Sequence, residues 1–88
     1  VKRRAVRAEE AETVRKFGTV WYSTSPNYWN ALLSTGHVDV RQHCDTSLWR
    51  VQCYDPETDE MTYGGPAEYA SRDEAMEVAI EISKELAK

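Results

Sequence analysis

The side chains with chemistry to offer lie in the middle of the chain. Cys44, Cys53, His37 and His43 are of the types that bind zinc, and Arg41 and Arg50 are of the type that grips phosphate in a planar fork. Spacing separates the two chemistries. Residues 37–43 alternate Val38, Val40 and Gln42 with His37, Asp39, Arg41 and His43, and residues 48–54 alternate Trp49, Val51 and Cys53 with Arg50, Gln52 and Tyr54. A period of two describes strands with one apolar face. Facing residues of an antiparallel pair share a side, so Val40 opposes Val51, Val38 opposes Cys53 and Gln42 opposes Trp49. Cys53 then lies beside Val38 while Cys44 stands in the turn six residues on, about 20 Å away at the usual strand rise. No disulfide spans that distance, and His43 and Cys44, as neighbours, point to opposite faces. No metal site and no cofactor are expected, and both thiols are expected to be reduced, with Cys53 in the core.

The same register sets Arg41 directly opposite Arg50, on a polar face shared with His43, Gln52 and Tyr54. Like charges facing each other across a ladder are unfavourable, so the pair calls for a nearby acid, with Asp39 the candidate, or for an anionic partner. No Ser/His/Asp set is present, and Gly64-Gly65-Pro66 lacks the lysine of a phosphate-binding loop. Enzymatic activity is not expected.

The elements that position these residues follow from the flanking pattern. A third strand is expected over residues 60–63, with Thr62 on the polar face, Cys53 opposite Met61 and Val51 opposite Tyr63, and an Asp-Pro turn opening the loop at Asp55. After the glycines, Ser71 and Glu74 form a capping-box pattern, and Ala75, Met76, Val78, Ala79, Ile82 and Leu86 make an apolar helical stripe opposite Glu74, Glu77, Glu81 and Glu85. Upstream, residues 4–17 have helix-forming composition with Gly18 as the stop. Val20, Trp21 and Tyr22 form a short β-favouring run, and Ser25-Pro26 opens a second helix over residues 27–34. The aromatic residues Phe17, Trp21, Tyr22, Tyr28 and Trp29 are expected to supply half of the core. The predicted fold is α+β: a three-stranded antiparallel sheet packed against a C-terminal helix, with a helical, aromatic-rich N-terminal extension. Residues 1–88 form a single domain, the extension covering 1–36 and the β-β-β-α unit 37–88.

Eighty-eight residues hold one core and no separate cofactor domain. The net charge of −4 is uneven. Lys2, Arg3, Arg4 and Arg7 make the start basic, whereas the last third is rich in acids, among them Asp55, Glu57, Asp59, Glu60 and Glu68. No apolar run approaches a membrane span and no apolar leader follows the basic start, so a soluble, cytoplasmic protein is expected.

Val40-Arg41-Gln42, Trp49 running to Asp55-Pro56, Gly64-Gly65 and Ser71-Arg72-Asp73-Glu74-Ala75 together resemble the three-stranded DNA-binding domains of plant ethylene-response factors and of phage integrase arms, over residues 38–86. The resemblance implies that the sheet face turned away from the helix enters the DNA major groove. It carries over to Arg41, His43, Arg50, Gln52, Tyr54 and Thr62 as contact residues.

Two functions are therefore expected of a non-enzymatic binding protein. The first is a DNA-binding accessory or regulator that docks duplex DNA on the outer sheet face, helped by the basic N-terminus. The second is a protein-interaction module or inhibitor of the mobile-element type, whose acidic surface (the helix glutamates with the acids of residues 55–68) binds a basic partner such as a nucleic-acid enzyme. A homodimer through residues 21–33 is expected if that segment is exposed.

Overall fold

The computed structural model describes residues 12–88. Six strands form one antiparallel sheet in sequence order: β1 (Glu12–Lys16), β2 (Thr19–Ser25), β3 (Tyr28–Leu33), β4 (Gly36–Gln42), β5 (Trp49–Tyr54) and β6 (Met61–Tyr63). A single helix, α1 (Arg72–Leu86), follows and packs on β4 and β5. The expected three-stranded sheet with a helical N-terminal extension is thus corrected in both parts. Residues 12–33, assigned to helices and a short extended run, build three further strands, and β3 pairs with β4 across the expected boundary. Residues 1–11, with the basic Lys2, Arg3, Arg4 and Arg7, lie outside the described residues.

The reason is a competition that local composition does not settle. Val14 faces Trp21 across the β1–β2 ladder, and Trp29 and Ala31 face Val40 and Val38 across β3–β4. Each extended segment thereby buries its apolar side against a neighbour, a gain that exceeds a few tenths of a kcal/mol per residue of helix propensity. Ser25-Pro26 is the β2–β3 turn, and Phe17-Gly18, both at positive φ (57° and 74°), is the β1–β2 turn. Alternation gave the β4–β5 ladder correctly, with Val40 on Val51, Val38 on Cys53, Gln42 on Trp49 and Arg41 on Arg50. It missed β6 by an irregularity: Cys53 faces Tyr63 and Tyr54 faces Met61.

The core lies between α1 and one sheet face. Trp21, Trp29, Ala31, Val38, Val40, Trp49, Val51 and Cys53 pack against Ala75, Met76, Ala79 and Ile80. Of the expected helical stripe, Val78 and Ile82 are half-buried and Leu86 is exposed, because the buried side runs through Ile80 and Ser83 instead. The Ser71 hydroxyl accepts the Glu74 backbone N–H at 3.1 Å, the expected cap. Thr35 and Ser83 share a 2.7 Å hydrogen bond that ties the β3–β4 turn to α1. Trp21 and Trp29 belong to the core as expected, whereas Phe17 is exposed and Tyr22 and Tyr28 are half-buried. Among the described residues no helix is long and apolar enough to cross a membrane.

Candidate functional site

Opposite α1, the sheet has a second face over which no described element lies. Register sorts its residues into rows across the strands: Tyr28, Arg41 and Arg50; then Asn30, Asp39 and Gln52; then Leu32, His37, Tyr54 and Met61. The middle of this face is closed to water by its own side chains. Asp39 is 0% exposed, and Asn30, His37 and Tyr54 are also buried. The Tyr28 hydroxyl donates to Asp39 Oδ2 at 3.2 Å, the Tyr54 hydroxyl donates to Gln52 Oε1 at 3.0 Å, and the His37 and Tyr54 rings stack with centroids 5.3 Å apart. This polar knot gives the sheet a small second core. Its influence reaches the other side: burial pushes the Cys53 thiol up to about 12, and the charge of Asp39 adds to the rise. Cys53 is accordingly an inert core thiol, within 3.8 Å of the Ala79 carbonyl.

Arg41 and Arg50 stand at the end of the face near the β4–β5 turn. Arg41 lies over the Tyr28 ring at 5.0 Å, and Arg50 Nε donates to Glu68 Oε2 at 3.1 Å. Glu68 arrives there because Tyr69 bridges Trp49 through two backbone hydrogen bonds of 2.8 Å, laying the preceding residue beside β5. The acid that offsets the arginine pair is therefore Glu68, while Asp39 is engaged by Tyr28. With side chains 48% and 27% exposed, the Arg50–Glu68 pair stabilises the fold by no more than about 1 kcal/mol and is easily opened.

Two adjoining hollows border the arginines. One, of about 330 Å³, is lined by Arg41, Gln42, His43, Cys44, Arg50 and Gln52; the other, of about 350 Å³, by Asn27, Tyr28, Arg41 and Gln42. Of the residues expected on the nucleic-acid face, the structure brings Arg41, His43, Arg50 and Gln52 to one hollow. Tyr54 is buried at the other end of its strand, and Thr62, displaced by the β5–β6 irregularity, lines a separate hollow with Asp55 and the end of α1. Tyr28 and Glu68 were missed. Tyr28 had been placed on a helix, and nothing local to Glu68 reveals that the Tyr69 bridge carries it across β5.

The β4–β5 turn departs from the expected geometry in a further way. His43, Cys44 and Asp45 are all exposed, and their ligand-type atoms lie within 4.8 Å of one another. The rule that neighbours point to opposite faces holds only inside a strand, and β4 ends at Gln42. Both cysteines are free, as expected, Cys44 exposed and Cys53 buried.

The acids of the second expected surface divide by role. Glu74, Glu77, Glu81 and Glu85 are exposed along α1. Asp55 is structural, its Oδ1 accepting the Thr58 and Glu57 backbone N–H groups at 2.9 and 2.7 Å, and these bonds hold its carboxyl below the usual range. Asp73 is held low chiefly by Lys16, 3.1 Å away on β1. Comparison with protein-family models, with curated proteins and with solved structures finds no match to this chain, so the geometry of the open sheet face is what a functional reading rests on.

Proposed function

We propose that the chain is a nucleic-acid-binding domain that takes a single strand across the open face of β3–β5. The observation that carries this reading is the facing pair Arg41 and Arg50, on an open face and lining one hollow. Two guanidinium groups on adjacent strands repel, and a phosphate placed between them relieves that repulsion while accepting from both. Tyr28 beside them offers a ring on which a base or an arginine stacks. The groove mode implied by the family resemblance requires a narrow sheet. Six strands are about 24 Å across at the usual spacing, roughly twice the width of the major groove. An extended single strand has no such constraint.

The test is a gel shift with labelled single-stranded and duplex oligonucleotides at low and moderate salt. Arg41→Ala/Arg50→Ala is expected to weaken single-strand binding at least about tenfold and to reduce the slope of log affinity against log salt by about 1.4, two phosphate contacts fewer. Undiminished binding in the double variant overturns the reading. Glu68→Gln is expected to shift affinity the other way, about threefold to fivefold tighter, because Arg50 no longer has an internal acid to leave.

A second reading, a protein-interaction module that binds a basic surface, is favoured by one observation. Glu77, Glu81 and Glu85 recur at the i,i+4 spacing where like charges repel by about 0.2–0.5 kcal/mol per pair, and Glu85 lies in the last turn, where the helix dipole disfavours an acid. The loop carrying Asp55 and Glu57 stands across a hollow from Leu86 and Ala87 and extends this acidic surface. A chain that shifts neither oligonucleotide leaves this reading as the better one.

A further inference from the structure

The β4–β5 turn places three different metal-ligating groups together on consecutive residues. We propose that His43, Cys44 and Asp45 form a transition-metal site of the zinc type, with imidazole, thiolate and carboxylate as ligands and the remaining coordination open to water or to an anion in the adjoining hollow. Ligands sharing a tetrahedral ion at bond lengths of about 2.0–2.3 Å stand roughly 3.3–3.8 Å apart. With no pair here beyond 4.8 Å, side-chain rotation alone closes the site.

The turn beneath is fixed rather than loose. His43 N donates to Leu48 O and Ser47 N to His43 O, both at 2.8 Å, and Leu48 N donates to Thr46 Oγ1 at 3.2 Å. The donors are already mutually engaged: Cys44 Sγ lies 3.7 Å from Asp45 Oδ1, and Asp45 N donates to His43 Nδ1 at 3.4 Å, leaving Nε2 for the ion. A thiol hydrogen shared with a carboxylate is the arrangement that a dication replaces, the proton leaving to solvent as the metal–sulfur bond forms.

Charge decides which cation fits. Thiolate and carboxylate together neutralise a dication, while Arg41 and Arg50 line the same hollow and repel hard cations that bind by electrostatics alone. The mixed nitrogen, sulfur and oxygen set suits zinc, cobalt or nickel over calcium or magnesium. Cys53 offers no competing thiolate, being buried behind the sheet. The inference stands independently of nucleic-acid binding, since it rests on the turn alone.

Titration of the tag-free chain with Co2+ at neutral pH, under a non-chelating reductant and without oxygen, tests it. A thiolate-to-cobalt charge-transfer absorption is expected, saturating at one ion per chain and bleached by Zn2+. Cys44→Ser, on an exposed side chain, is expected to abolish the band with an unchanged far-UV circular dichroism spectrum. His43→Ala and Asp45→Asn are each expected to weaken cobalt binding at least about tenfold. The proposal is overturned by absence of the band in the parent chain, by its persistence in Cys44→Ser, or by parent-like affinity in both His43→Ala and Asp45→Asn, which would reduce the site to a lone thiolate.

Discussion

Gly36→Ala is expected to lower the free energy of unfolding by about 3 kcal/mol or more, the largest effect of any one-carbon change in the chain. Gly36 opens β4 at φ 141°, a conformation that L side chains rarely adopt, and a Cβ there would fall well inside contact distance of the Tyr54 carbonyl oxygen, with Pro56 close behind. The backbone oxygen cannot turn aside as a side chain would, so β4 and β5 must part where His37 pairs with Tyr54. Gly18→Ala is the control. Gly18 also has positive φ, at 74°, yet nothing lies within 4 Å of the added carbon, so only the conformational cost of about 1 kcal/mol remains. Urea unfolding checks both: a large fall in midpoint for Gly36→Ala at constant slope, and a small one for Gly18→Ala. Equal losses would place the cost in backbone conformation and remove the close approach as its cause.

Trp21→Ala is expected to cost about 3–5 kcal/mol, as the loss of a large buried aromatic does. Trp21 is wholly buried and sits in the cluster that includes Trp29, Val38 and Val40. Trp21→Phe separates two components of that cost. Among the described residues the indole Nε1 is buried without a hydrogen-bond acceptor, and removing such a donor recovers about 1–3 kcal/mol of desolvation. The smaller ring leaves a smaller void. Trp21→Phe is therefore expected to lose less than about 1.5 kcal/mol, far less than its volume change implies. A loss close to that of Trp21→Ala would show that the indole nitrogen is satisfied in solution.

What could be read from the sequence follows the reach of each signal. The β4–β5 ladder was legible because two alternating runs carry their apolar residues at matching offsets, and one register buries both sets. The α1 start was legible because a cap is local: Ser71 and Glu74 need only each other and three residues of chain. Residues 28–33 were not. Tyr-Trp-Asn-Ala-Leu-Leu satisfies a helical stripe through Tyr28, Trp29, Leu32 and Leu33, and only the pairing of Trp29 and Ala31 with β4 shows Leu32 to be an outward strand residue, 67% exposed. Residues 12–16 offered even less, since Val14 alone packs inward and its partner Trp21 lies across a turn. The candidate site divides likewise. Arg41 and Arg50 came from register, but Glu68, Tyr28 and the clustering at the 43–45 turn depend on contacts between segments that no periodicity encodes.

The Tyr69–Trp49 bridge has a further role in how the sheet ends. After three residues of β6 the chain leaves β5, passes Gly64, Gly65 and Pro66, and returns to pair once at Tyr69. The flank of β5 is thus occupied at both ends by the chain itself, and the gap contains a proline with no N–H to offer another strand. Sheets propagate into fibres by recruiting strands along an uninterrupted margin, and this margin is broken. The short β6 and its detour act as a stop on polymerisation, which lets a small chain keep a wide, open sheet face without that face becoming the side of a filament.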